Sequence, residues 1–314
     1  MSKDNKVVCI LGPTASGKTE LSLKIAENFG GEIICADSMQ IYKDISIASA
    51  APTKKERARA PHRLFEFLSP DTNFSAADYC ELARAEIEDC LNSGKLPVLT
   101  GGTGLYITSL ADNIIFGEEK KDDDLRKALE TRLKEEGAQS LYNELQKIDP
   151  EAALKLHINN TRRIMRALEI YYKTGKTATY FNEISRKTPS PYDFIMIGIK
   201  FADRSKLYAR IEKRADQMIK SGLLEEARQA FEDKNASKTS LQAIGHKEFF
   251  SYFKGEESLE SCIEKFKTST RRYAKRQLSW FNRDARINWI LADEQPDIYG
   301  AAEKILIESG VNKP

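Results

Sequence analysis

Residue types that usually hold metals are scarce in this chain. Among 314 residues there are three histidines and five cysteines. Cys9, Cys35, Cys80, Cys90 and Cys262 show no C-x-x-C spacing, so a structural zinc site is not expected. Cys9 and Cys35 lie in apolar runs and read as small buried residues, which points to a reducing cytoplasm. Long apolar runs are missing too. No stretch reaches the roughly 18 apolar residues of a membrane helix, so no membrane attachment is expected. The run Val7–Leu11 is too short for the core of a secretory signal. Charge of one sign is also lacking. A net charge of +2 neither announces nor excludes a nucleic-acid partner, and its distribution matters more. What remains, 41% hydrophobic and 31% charged residues, suits an ordinary globular protein. The length suggests two structural units, one core with an insertion.

The chain is organised around Gly12-Pro13-Thr14-Ala15-Ser16-Gly17-Lys18-Thr19, which fits G-x-x-x-x-G-K-[ST]. An apolar run precedes it, and Leu21–Ala26 follows with helical spacing. Strand, glycine-rich turn and helix is the context that makes this motif a phosphate loop. Successive backbone N–H groups and a helix N-terminus then surround one phosphate. Lys18 would reach a second phosphate, and Thr19 would hold Mg²⁺. The motif does not say that the phosphate belongs to a nucleoside triphosphate.

Two further strand ends belong to the same rim. Glu32–Ala36 is a short apolar strand that ends at Asp37-Ser38-Met39-Gln40, and Leu96–Thr100 ends at Gly101-Gly102-Thr103-Gly104. In an open parallel sheet, polar residues just past a strand's C-terminal end face the ligand crevice. Catalytic or metal duty is therefore expected of Asp37, and adjacent glycines let backbone approach a ligand. Ser38 could merely cap the next turn. His62 reads as a core or turn residue, with the edge of the site as the alternative.

From Gly117 the composition changes. Glu118–Asp124 is a charge run, most simply a solvated loop and helix start. Leu125–Glu135, Ala138–Ile148 and Glu151–Leu156 read as helices, and Gly175–Pro191 as an exit linker. Thr161–Tyr171 carries an apolar helical stripe of Ile164, Leu168 and Tyr171, with Arg162, Arg163 and Arg166 crowded beside it. Arginine forks match phosphates well, so nucleotide contact is expected there. Phe194–Ile199 is a continuous apolar run that returns the chain to a parallel sheet. The expected architecture is α/β: a P-loop NTPase-like core with a parallel sheet flanked by helices. Residues 1–115 form its first part, 116–190 a mainly helical insertion, and 191–314 the completion with basic C-terminal helices. Lys265 to Arg276 holds six Lys/Arg and no acidic residue, with Tyr273, Trp280 and Phe281 interleaved. Such cations can neutralise a nucleic-acid backbone, while Trp280 and Phe281 read as core. A simple NTP hydrolase would want an acidic box at a second strand end, and none stands out. The residues alone leave a kinase, an NTPase and a transferase with a diphosphate leaving group open.

Here the chain resembles the bacterial tRNA dimethylallyltransferase (tRNA isopentenyltransferase) family. The likeness is carried, in order, by GPTASGKT at 12–19, ADSMQIYK at 36–43, GGTGLY at 101–106, NNTRRIMRALEIYYKTGK at 159–176, RIEKRADQM at 210–218, LQAIGHKEF at 241–249 and TRRYAKRQLSWF at 270–281. The resemblance implies transfer of a dimethylallyl group from dimethylallyl diphosphate to N6 of adenosine-37, next to the tRNA anticodon. Gly12, Thr14, Ala15, Ser16, Gly17, Lys18, Thr19 and Arg214 would then bind the donor diphosphate, with Mg²⁺ at Thr19. Catalytic duty would fall on Asp37 as general base and on Lys18 and Arg214. Asp37, Ser38, Met39, Gln40, Thr103, Thr161, Arg162, Arg163 and Arg166 would contact the anticodon stem-loop. A cytoplasmic monomer is expected.

The likeness has departures. Where the family usually reads Y-R-G-M-D-I-G-T-A-K-P-T, this chain has Tyr42-Lys43-Asp44-Ile45-Ser46-Ile47-Ala48-Ser49-Ala50-Ala51-Pro52-Thr53, and I-G-Y-K-E becomes Ile244-Gly245-His246-Lys247-Glu248. Two other readings stand beside this one: an adenylate isopentenyltransferase acting on free AMP, ADP or ATP, and a P-loop small-molecule kinase.

Overall fold

The computed structural model describes residues 5–116, 123–237 and 239–314. The chain divides into two compact units, Met1–Ile107 with Pro191–Pro314, and Thr108–Ser190.

The first unit is built on a sheet. Its opening elements are β1 (Lys6–Leu11), α1 (Lys18–Phe29), β2 (Gly31–Cys35), α2 (Ser46–Ser49), α3 (Lys54–Arg57), β3 (His62–Arg63), α4 (Ala76–Asn92), β4 (Leu96–Thr100) and α5 (Gly104–Ala111). After the second unit come β5 (Asp193–Lys200), five helices and β6 (Asn288–Leu291). The six strands run β3-β2-β4-β1-β5-β6, and every neighbouring pair is parallel. Val7 to Leu11 of β1 are wholly buried, because a central parallel strand is covered on both faces. Register explains the rim. Ile10 of β1 and Cys35 of β2 both pair with Thr100 of β4, so three strands end level and their loops leave one edge together. α1 fixes this arrangement. Its Leu21, Ile25 and Phe29 pack with Val8, Ile10 and Val98, while Leu23 and Ala26 pack with Ile33, Cys35 and Tyr42. Gly30, in a left-handed conformation at φ 64°, ends it.

The second unit contains α6 (Asp123–Ile148), α7 (Pro150–Leu154), α8 (Thr161–Thr174) and α9 (Ala178–Lys187). Gly137, at φ 80° and ψ 169°, interrupts α6 between the two helices expected there. Leu129, Leu141, Leu145, Ile164 and Leu168 form the core. The exit linker expected at Gly175–Pro191 is corrected: most of it is α9. Thr177 caps that helix by accepting from Tyr180 N, and Thr179 donates from its backbone and its hydroxyl to the buried Asp149 carboxylate. The Ser/Thr content that looked like loop chemistry serves caps and tethers instead. The charge run at Glu118–Asp124 falls largely outside the described residues, and Asp124 is exposed.

The chain completes the first unit with α10 (Arg204–Lys220), α11 (Leu223–Glu232), α12 (Phe250–Phe253), α13 (Leu259–Phe281) and α14 (Ile298–Glu308). Leu207, Ile211 and Ala274 pack α10 against α13, and Ala15 of the glycine-rich loop rests on the same cluster. Among the described residues, no helix is long and apolar enough to cross a membrane.

Candidate active site

The loop after β1 has the backbone its sequence calls for. Gly12 lies at φ 143° and Gly17 at φ 103°. A Cβ on Gly12 would stand 2.5 Å from the Ile199 carbonyl oxygen, so any other residue would push the loop off β5. Ala15 also sits in the left-handed region, at φ 64°. Ser16 is buried, and its Oγ has no hydrogen-bond partner, an arrangement suited to an anion that accepts from it. Lys18 Nζ donates to the Pro13 carbonyl at 2.8 Å.

Residues far away in sequence brace this loop. Gln277 of α13 accepts from Thr14 N at 2.8 Å and donates to the Gly102 carbonyl at 3.0 Å. One buried amide thereby ties the first and third rim loops together. Arg210 Nε donates to the Ala15 carbonyl at 2.8 Å, and Arg214 Nη1 donates to Thr14 Oγ1 at 3.3 Å. On the second loop, Asp37 Oδ1 accepts from Met39 N at 2.9 Å, which fixes the carboxylate against its own turn. Ser38 N donates to Thr103 Oγ1 at 2.8 Å. Gln40 Nε2 donates to the Ser49 and Ala50 carbonyls at 3.0 and 3.2 Å.

Many of these groups border a cavity of about 260 Å³. Its lining includes Lys18, Thr19, Asp37 and Arg214 as well as Ala48, Phe65, Met218 and Phe266, and Ala48, Met218 and Phe266 pack in one apolar cluster. The two cations are strongly perturbed. Burial, and then the Arg214 guanidinium, pull the Lys18 ammonium down to about 8, while Asp37 acts in the opposite sense. Burial also lowers the Arg214 pKa, again against the pull of Asp37. Two cations are thus held in a poorly hydrated place with one carboxylate. That surplus of positive charge awaits an anion. Burial pushes the Tyr273 phenol well up, so it stays a neutral hydrogen-bonding group.

The expected residues are mostly found together. Thr14, Ala15, Lys18, Thr19, Asp37, Ser38, Met39, Gln40 and Arg214 all border the cavity. Gly12, Ser16 and Gly17 shape the loop behind it, and Thr103 binds Ser38. Thr161, Arg162, Arg163 and Arg166 belong to the second unit, in the first turns of α8, where the three arginines are exposed. Arg166 lies 3.6 Å from Glu169. His62 is at the cavity, with Nδ1 2.7 Å from the Ala60 carbonyl. Burial lowers its pKa, which favours the neutral ring.

Sequence reasoning missed Gln277. Its signal was present: Thr270, Tyr273 and Gln277 recur at helical spacing on α13, a polar line leading into the apolar Trp280-Phe281 pair. The cations that flank it divide into paired and exposed ones. Lys267 pairs with Asp216 at 2.8 Å and Arg271 with Glu212 at 2.6 Å, while Arg272, Lys275 and Arg276 are exposed. Phe281 is buried as expected, and Trp280 fills the space left by Gly104.

A divalent cation fits this donor set only in one manner. Among the described residues, no group of three His, Cys, Asp or Glu could hold a metal. The Thr19 hydroxyl borders the cavity beside the phosphate loop. Mg²⁺ bound through one hydroxyl, waters and a ligand's phosphate oxygens needs no protein cage.

Comparison with known proteins places this geometry. The family model described as IPP transferase matches residues 40–284; the phosphate loop and Asp37 precede that span. A tRNA dimethylallyltransferase of Acetivibrio thermocellus is 46% identical over 303 residues, covering 96% of this chain and 95% of that one. The crystal structure of the full-length tRNA isopentenylpyrophosphate transferase from Bacillus halodurans is similar, at 39% identity and a TM-score of 0.72, covering 98% of this chain and 96% of that one. A eukaryotic dimethylallyltransferase acting on tRNA gives a TM-score of 0.84 at 31% identity, covering 99% of this chain and 80% of that one.

Proposed function

The chain belongs to the IPP transferase family, and on that premise we infer that it is an enzyme that transfers a dimethylallyl group to adenosine-37 of tRNA. We propose dimethylallyl diphosphate as the donor and N6 of the adenine as the acceptor. The observation that carries this reading is the cavity itself. A phosphate loop with two partly buried cations, a carboxylate and an apolar cluster border one space. The apolar residues that share its lining, Ala48, Phe65, Met218 and Phe266, suit a short hydrocarbon.

The roles follow from placement. The diphosphate lies against the N–H groups of Ala15 and of Gly17, Lys18 and Thr19, with the Lys18 and Arg214 side chains holding the charge that develops as the C1–O bond breaks. Its electron pair leaves with the diphosphate. N6 forms the new bond to C1, and Asp37 takes the N6 proton. Thr19 would hold Mg²⁺ on the diphosphate, and the ion when bound supplies further positive charge to the leaving group. Adenine reaches the cavity only after leaving the anticodon-loop stack, a cost that falls on RNA loops least heavily. Ser38, Met39, Gln40 and Thr103 are proposed to contact the extruded nucleotide. The helical insertion at 116–190, through Thr161, Arg162, Arg163 and Arg166, is proposed to grip the anticodon stem-loop. We further propose that the enzyme works as a cytoplasmic monomer.

The test offers labelled dimethylallyl diphosphate to unmodified tRNA, to the same tRNA with guanosine at position 37, and to AMP. Label is expected in the first alone. Transfer to AMP but not to tRNA would replace this function by the adenylate one.

A further inference from the structure

One wall of the cavity is made by a helix with no interior of its own. α2 has four residues and buries none of them fully. Ile47 and Ala48 rest on the cluster of Ala215, Phe249 and Phe266, and Ala48, Ser49 and Ala50 border the cavity. So short a helix leaves its N–H groups without partners inside it. Glu226 of α11 supplies them. Its carboxylate accepts from Ile47 N at 2.7 Å and from Ala48 N at 2.9 Å. The same carboxylate accepts from His246 Nε2 at 2.8 Å. An ionised carboxylate only accepts, so Nε2 carries the proton. His246 is fully buried, and the Glu226 side chain is 11% exposed. At the other end of α2, Gln40 holds the Ser49 and Ala50 carbonyls. Ala50 sits at φ 51°, a conformation that an alanine keeps only where its surroundings impose it.

We propose that Glu226, steadied by His246, is a positioning residue that sets the width of the hydrocarbon end of the donor cavity and so limits the isoprenoid to five carbons. This rests on the donor being an isoprenoid diphosphate. The direction of the effect comes from packing. Ala48 shares its cluster with Ala215, Met218, Ile244 and Phe266, and all five border the cavity. Neither Glu226 nor His246 borders it. Releasing α2 therefore moves the apolar wall and leaves Lys18, Asp37 and Arg214 where they are. The small side chains of Ala48 and Ala50 cannot restore the boundary, because only their backbone position defines it.

The experiment measures transfer to saturating unmodified tRNA from dimethylallyl diphosphate and from the ten-carbon geranyl diphosphate. Wild type is compared with Glu226→Gln, His246→Phe and His246→Gln, with thermal unfolding of each. Glu226→Gln is expected to raise the donor KM about tenfold, as for a lost charge-assisted hydrogen bond, with kcat little changed. The geranyl-to-dimethylallyl ratio of kcat/KM should rise by a similar factor. His246→Phe should shift both quantities in the same direction by less. His246→Gln, whose amide nitrogen reaches the position of Nε2 and keeps the donor, should return toward wild type, and this pair carries the test if Glu226→Gln does not fold. Unchanged donor KM and unchanged preference in all variants, with only a lowered melting temperature, overturns the proposal. Wild type that uses neither isoprenoid diphosphate overturns the proposed function together with it.

Discussion

The two glycine-rich turns of the rim look alike in sequence and exist for different physical reasons. Each follows a buried strand and precedes a helix. In the turn at 12–17, Gly12, Ala15 and Gly17 all have positive φ. The chain is bent so that N–H groups converge, and glycine there supplies shape, with clearance a second demand at Gly12 alone, where a Cβ would stand 2.5 Å from the Ile199 carbonyl oxygen. In the turn at 101–104 no glycine has positive φ. A Cβ on Gly101 would lie 2.1 Å from the Ala36 carbonyl oxygen, on Gly102 2.0 Å from Gln277 Nε2, and on Gly104 2.3 Å from Trp280. Glycine there supplies clearance. The first turn is a receptor for an anion. The second is a spacer that lets Asp37, Gln277 and α13 come close enough to close the cavity.

The largest expected effect removes the carboxylate for which the second turn leaves room. Asp37→Ala should retain tRNA binding and lose transfer by about 10²- to 10⁴-fold, as for a missing general base. Single-turnover transfer beside a filter-binding measurement decides it, and near-normal transfer would take Asp37 out of the mechanism. The next effect strikes the first turn. Lys18→Ala should lower transfer about 10²- to 10³-fold. The native lysine predicts a pH profile of definite sign. Its ammonium must be protonated to hold the anion, and burial with Arg214 brings its pKa to about 8. So kcat/KM for the donor should fall as pH rises through about 8. A bound diphosphate favours the charged form, so the fall in kcat belongs at higher pH. A profile of kcat/KM flat to well above that pH would mean that Lys18 does not carry the anion.

The comparison also shows what could be read from the residues. G-x-x-x-x-G-K-T implies both its flanks and its backbone shape, because it is a local solution to one problem. The all-parallel sheet was legible from continuous apolar runs at Val7–Leu11 and Phe194–Ile199. The purpose of Gly101, Gly102 and Gly104 was not, since clearance depends on Ala36, Gln277 and Trp280, which only folding brings near. The same reason hid Gln277, 263 residues from its partner Thr14. Glu226, 179 residues from Ile47, was hidden likewise. α9 escaped for a local reason: Thr177 and Thr179 act as cap and tether, and their types are equally common in loops.

The smaller effects separate shape from clearance directly. Gly101→Ala forces a Cβ against a backbone carbonyl at 2.1 Å, and backbone cannot step aside as a side chain can. A loss of about 3 kcal/mol, at the upper end for overpacking, is expected in urea unfolding. Ala15→Gly is the opposite change in the other turn. Relief of a left-handed alanine should gain about 1–2 kcal/mol. The added freedom of glycine in the unfolded chain removes about 0.5–1 kcal/mol of that. The lost methyl, which packs on Leu207, Ile211 and Ala274, removes up to about 0.8 kcal/mol more. The net change should lie between a loss of about 0.8 and a gain of about 1.5 kcal/mol, well short of the loss expected for Gly101→Ala. If Ala15→Gly proved as costly as Gly101→Ala, the first turn would also be held by packing rather than by its φ angles, and the distinction between the two turns would fail.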